Sequence, residues 1–113
     1  MAFRVRIDPI AARQIDHFAS YLREYGEDFA IEQIERLDHI LRYNLARSPL
    51  MWSHFPLTGA PYRAYLFRVG GRTQYWIVYK VDEDTRIVDV LLFGMLREIR
   101  KRLSFDEWVL NGG

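Results

Sequence analysis

The sequence predicts an α+β domain, and three observations carry that prediction. Residues 62–93 read YRAYLFRV, GG, RTQYWIVYKV, DEDT and RIVDVLLF, three runs rich in Tyr, Phe, Trp, Val and Ile split by two turn signals. Residues 10–45 carry two apolar stripes at helical spacing. The opening residues alternate apolar and charged side chains with period two. The expected order is a short N-terminal strand, a helical hairpin, a three-stranded antiparallel meander and a short C-terminal helix or tail. A single domain over residues 1–113 accommodates all of it.

Phe3, Val5 and Ile7 alternate with Arg4, Arg6 and Asp8, which gives a short strand with one apolar face. Asp8 is a favoured N-cap, and Pro9 fits the first helical position because its missing N–H is not needed there. Ile10, Ala11, Ile15, Phe18, Ala19 and Leu22 form the stripe of the first helix. Gly26 is expected to end it as a left-handed cap. A second helix is expected over residues 27–47, with Glu27 and Asp28 at its positive end and Arg47 at its negative end. Its stripe is Ala30, Ile34, Leu37, Leu41 and Leu45, widened by Ile31 and Ile40. Ser48-Pro49 stops it.

Residues 50–61 read as a loop that is unusually apolar, with Met51, Trp52 and Phe55. It either tucks against the sheet or forms a lip for a partner. In the meander, Gly70-Gly71 suits a tight two-residue hairpin turn, and residues 82–85 suit a longer polar one. Arg97, Arg100, Lys101 and Arg102 make a basic cluster after Gly94. Ser104 and Glu107 have the spacing of a capping box for a last helical turn.

Composition narrows the function classes. The chain has no cysteine, so disulfides and thiolate metal sites are excluded. Its three histidines, His17, His39 and His54, form no i, i+4 pair, and no metal or cofactor site is expected. No apolar run is long enough to span a bilayer, and the opening lacks the apolar core of a signal peptide. A soluble cytoplasmic protein is therefore expected, with no membrane partner. The net charge of +1 is unevenly laid out: residues 1–61 carry −1, residues 62–102 carry +4 and the last eleven carry −2. The basic excess on the meander can favour a nucleic acid or an acidic protein segment.

Strand alternation places Arg63, Tyr65 and Phe67 on one sheet face and Tyr62, Ala64, Leu66 and Arg68 on the other. In the next strand Tyr75, Ile77 and Tyr79 share one face, and Gln74, Trp76, Val78 and Lys80 the other. If the helices cover one face, the opposite face is expected to show arginine beside aromatic rings. Candidate binding residues are Arg63, Tyr65, Arg68, Trp76, Tyr79, Arg97, Arg100 and Arg102. Such a surface can hold phosphates and bases, or an amphipathic peptide. Ordinary cross-strand packing with snorkelling arginines is the structural reading of the same residues.

The ordered set Tyr62-Arg63, Gly70-Gly71, Tyr79 with Val81-Asp82, and Gly94 resembles the RelE/ParE toxin superfamily of bacterial type II toxin–antitoxin systems. The opening FRVRIDPIAARQI and Tyr21-Leu22 of the first helix are similar too, so the resemblance covers residues 3–97. It implies a cognate antitoxin as partner. RelE-like members of the family are mRNA endonucleases that act at the ribosome, whereas ParE-like members poison DNA gyrase without known chemistry. Carried onto this chain, a nuclease set would be Arg63, Arg72 and Arg97. However, Tyr65 and Trp76 stand where basic residues are expected, Met95 and Leu96 follow Gly94 where basic residues usually sit, and no tyrosine follows Tyr79. One lost charge-stabilising donor costs ~3 kcal/mol of transition-state stabilisation. The resemblance therefore points to a ParE-like, non-enzymatic gyrase inhibitor. The alternatives are a RelE-like mRNA endonuclease or a non-toxic binding protein of the same fold.

Overall fold

The computed structural model describes residues 2–52 and 62–102. The chain runs β1 (Arg4–Ile7), α1 (Pro9–Arg23), α2 (Glu27–His39), a π-helical turn (Ile40–Asn44) and α3 (Leu45–Arg47). It continues through β2 (Tyr62–Val69), β3 (Thr73–Asp82) and β4 (Ile87–Gly94). A final helix, α4, occupies residues 96–102 as far as the description extends. The capping-box residues Ser104 and Glu107, and Phe55 of the apolar loop, lie outside the described residues. Among the described residues, no helix is long and apolar enough to cross a membrane.

The strands form one sheet in the order β1-β4-β3-β2. The meander is antiparallel as expected, and β1 joins it parallel to β4, with Val5 opposite Val88 and Ile7 opposite Val90. A bulge between Val78 and Tyr79 leaves Leu91 without an opposite residue. This resolves a break in the pattern of β4. Val88 and Val90 keep period two, but Phe93 is out of phase with them. The extra residue returns Phe93 to their face.

Asp8 caps α1 as the sequence predicts, accepting from the Ile10 amide at 2.9 Å. Ala11, Phe18 and Leu22 are buried, and Phe18 sits edge-on to Tyr75 and Phe93 at 4.7 and 5.0 Å between ring centroids. α1 ends at Arg23, earlier than the Gly26 cap the sequence suggests. Gly26 instead stands at the N-cap of α2 with φ 123°, a backbone angle that an L side chain rarely adopts.

The second helix is continuous over the expected span but not uniform. Leu37, Leu41 and Leu45 are spaced by four, a pattern that drifts about 40° per step around an α-helix. The wider π turn at Ile40–Asn44 takes up that drift and keeps all three buried. Ile40 joins the core, whereas Ile31 is 49% exposed and does not widen the stripe.

The two turns of the meander differ from each other. Gly70 and Gly71 both have positive φ, at 61° and 79°, but Val69 pairs with Thr73, so the loop has three residues and includes Arg72. In the second turn the Asp82 carboxylate accepts from the amides of Asp84 and Thr85, and Arg86 takes φ 57°. Ile7 lies at the open end of β1 and is 42% exposed.

Both sheet faces are covered. The helices pack on the face that holds Phe67, Ile77, Tyr79, Val88, Val90 and Phe93. On the other face Ile99 of α4 is fully buried with Ala64, Val78 and Leu92, and Trp76 and Leu96 pack against this cluster. Leu37→Ala is expected to lower stability by about 2–5 kcal/mol in chemical denaturation. A loss under about 0.5 kcal/mol, the size usual for a surface change, would place that stripe in solvent.

Candidate functional site

Two surfaces emerge from this arrangement. The first is the set of residues that the sequence singles out on the meander, and the structure divides it. Arg63 and Tyr65 lie on the helix-side face with Tyr79, not on an open face. There they gather around the chain that leaves α3. The Arg63 guanidinium donates to the Trp52 carbonyl at 2.7 Å and to the Leu50 carbonyl at 3.3 Å. The Trp52 and Tyr65 rings meet at 4.7 Å. The Tyr79 hydroxyl donates to the Pro49 carbonyl at 2.6 Å. These residues clamp the described start of the apolar loop, where Pro49 is buried while Leu50 and Met51 stay exposed.

Tyr79 is wholly buried, so its ring is core. Burial pushes its phenol up to about 12, against a smaller lowering from the nearby Arg63 charge. An ordinary unfolded phenol ionises near ~10. The folded state holds the proton more tightly, so this contribution is complete below the unfolded value and fades as pH rises through the folded one. Tyr79→Phe is expected to cost about 1 kcal/mol at neutral pH for the lost hydrogen bond. The gap between wild type and variant should then narrow in alkali, as read from denaturation midpoints. A gap that stays constant up to pH ~12 would show the phenol to be solvated.

On the opposite face the exposed polar side chains include Arg68, Gln74 and Lys80, around the half-buried Trp76 and Leu66, with Asp82 at the end of β3 and Arg4 and Arg6 on β1. Arg97, Arg100 and Arg102 are exposed on α4, whose Ile99 faces the sheet. The expected open surface of arginine beside aromatic rings is therefore a rim around an α4-covered apolar patch. Arg63, Arg72 and Arg97 do not converge. Arg72 lies in the hairpin loop, and β2 from Arg63 to Val69 spans about 20 Å at ordinary strand rise. Arg97 lies on the other side of the sheet from Arg63. Among the described residues, no group of His, Asp or Glu is placed to hold a metal ion.

The second surface was not foreseen. A cleft of about 650 Å³ opens between α1, the hairpin end of β2 and β3, and the β4–α4 junction. Its origin is the shortness of β1. That strand pairs only with residues 87–90 of β4, so beyond Val90 the edge of β4 has no strand neighbour. The Phe93 amide there donates instead to the Gln14 side-chain oxygen at 2.8 Å. Phe18, Tyr75 and Phe93 make the aromatic wall, with Tyr75 and Phe93 stacked at 5.3 Å and 11°. Tyr21, 48% exposed, lines the α1 side, and its hydroxyl lies 2.8 Å from that of Tyr25. Glu98 of α4 is also in the lining. Burial first, and then Glu98, raise the Tyr75 phenol, which therefore stays a hydrogen-bond donor at neutral pH. The signal in the sequence was the i, i+4, i+7 spacing of Gln14, Phe18 and Tyr21. It carries no information about what the helix faces.

No family model matches the sequence, and no curated protein matches it. Solved structures do. A chain in the crystal structure of the toxin–antitoxin complex RelBE2 from Mycobacterium tuberculosis superposes with a TM-score of 0.57 at 18% identity. The match covers 84% of this chain and 99% of that one. The E. coli toxin RelE, solved as a mutant in the free state, gives a TM-score of 0.49 at 19% identity and covers 84% of each chain. The protein shares the fold of the RelBE2 chain. At this identity the likeness fixes architecture and leaves chemistry to the residues present.

Proposed function

We propose that this protein is the toxin of a toxin–antitoxin pair and that a cognate antitoxin is its partner. The observation that carries this reading is the match to nearly the whole of a chain from a toxin–antitoxin complex. The ordered motifs of the meander support it independently. A cytoplasmic location goes with the reading.

For the target, the structural likeness favours the RelE-like alternative, ribosome-dependent mRNA cleavage, over gyrase inhibition. The chain in the RelBE2 complex belongs by name to the RelE side of the family. The gyrase expectation gains no support from it. One observation keeps a non-catalytic reading in view: the Arg63 guanidinium is engaged with the carbonyls of Leu50 and Trp52. Cleavage would then depend on the exposed arginines of α4, with Arg97 first in the chain.

The deciding experiment supplies purified protein to programmed ribosomes and maps mRNA ends, with a gyrase supercoiling assay in parallel. Cleavage is expected, and Arg97→Ala is expected to reduce it about a hundredfold while the fold survives. Intact mRNA with inhibited gyrase would return the target to the ParE-like reading. If neither assay responds, the toxin reading fails and a binding protein of this fold remains.

A further inference from the structure

The α1 cleft takes no part in the reading above, and its chemistry is specific. Its volume, about 650 Å³, lies within the ~300–1,000 Å³ common for small-molecule sites. It combines an aromatic wall, Tyr75 stacked on Phe93, with Glu98, the one carboxylate among the described residues of the lining. No described residue forms a hydrogen bond or ion pair with that carboxylate. Gly94 makes room for it, since a Cβ there would stand 3.0 Å from Glu98 Oε2. A second, smaller cleft adjoins the first and shares Gln14 and Glu98 with it; among the described residues, Lys101 and Arg102 complete its lining.

Local charge decides the kind of ligand. Two cations beside one carboxylate disfavour a cationic ligand and favour an anion. The aromatic wall asks for a flat ring, and stacking on such side chains is worth ~1–3 kcal/mol per base. We propose that the paired clefts bind a guanine nucleotide, with the base in the larger one at Glu98 and the phosphate in the smaller one at Lys101 and Arg102. Guanine is the base that offers two adjacent donors, N1–H and the N2 amine, to the two oxygens of a carboxylate. Adenine presents a lone pair at N1 to the same group. Uracil presents one N–H between two carbonyls. Cytosine sets its N4 amine beside an acceptor. The Gln14 oxygen is taken by the Phe93 amide, which leaves the Gln14 amide nitrogen to donate to a base acceptor. The inference stands on the clefts alone and does not require the toxin reading.

The test is calorimetric titration of the whole protein with GMP, AMP, UMP, guanosine and inorganic phosphate, joined to amide NMR shifts. GMP is expected to bind about tenfold or more tighter than AMP or UMP, the size of one bidentate contact. Its shifts should fall on α1 and residues 93–98. Glu98→Gln, at an exposed position, should erase the preference for GMP while leaving the fold intact. Lys101→Ala with Arg102→Ala should weaken GMP and leave guanosine unchanged. Equal affinity for GMP and AMP would overturn the assignment, as would phosphate binding as tight as GMP, shifts confined to residues 62–68, or no binding. GMP binding by a protein that leaves mRNA intact would uphold this site while the nuclease reading failed.

Discussion

Burial of the central strand from both sides is the constraint on which the rest of the structure depends. Ile77, Val78 and Tyr79 are consecutive residues of β3, and all are fully buried. Neighbouring strand residues point to opposite faces, so such a run needs cover on both. The helical hairpin covers Ile77 and Tyr79, and α4 covers Val78 through Ile99. The aromatic cluster of Phe18, Tyr75 and Phe93 fixes where α1 lies across the sheet. The bulge at Leu91 follows from the same demand, because only one extra residue lets Val90 and Phe93 share the helix side.

Several cations do structural work, and one of them, Arg63, is a candidate site residue in the sequence. Arg36 reaches from α2 over the Phe67 ring at 4.2 Å and donates to the Arg68 carbonyl on the edge strand β2. It covers part of an edge that would otherwise be open to pairing with another chain. Arg63 holds the segment after α3 by two carbonyls, beside Tyr79. Arg6 pairs with Asp89 across β1 and β4 at 2.8 Å. Once these roles are assigned, the exposed cations of the meander half are mostly those of its rim and of α4. Within residues 62–102, Arg63 is taken up in holding the chain, and the exposed cations Arg68, Lys80, Arg97 and Arg100 are spread over the sheet rim and α4.

The mismatch in strand length has the largest consequence for function. A four-residue β1 beside an eight-residue β4 leaves one end of β4 unpaired on that side. A buried amide in that position needs an acceptor, and Gln14 supplies it. The same gap opens the cleft between α1 and the β4–α4 junction. A site here is a by-product of how the sheet ends, and its lining comes from five separate elements, α1, β2, β3, β4 and α4.

The sequence by itself determined the element types and their order. Period two in the strands and helical spacing in the stripes follow from backbone geometry and need no distant partner. Asp8-Pro9, Gly70-Gly71 and Asp82 act within a few residues of themselves, and all three are in turns or caps. What the tertiary structure decided is which face each element presents and what fills it. The alternation of β2 put Arg63 and Tyr65 together, but only the packing of the segment after α3 placed them on the covered face. Tyr79 reads as a motif residue until Pro49 is found above it. The π turn, the bulge at Leu91 and the α1 cleft each answer a spacing conflict between elements far apart in the chain. The local spacing of Leu37, Leu41 and Leu45, or of Val88, Val90 and Phe93, shows that a conflict exists, but only packing decides how it is answered.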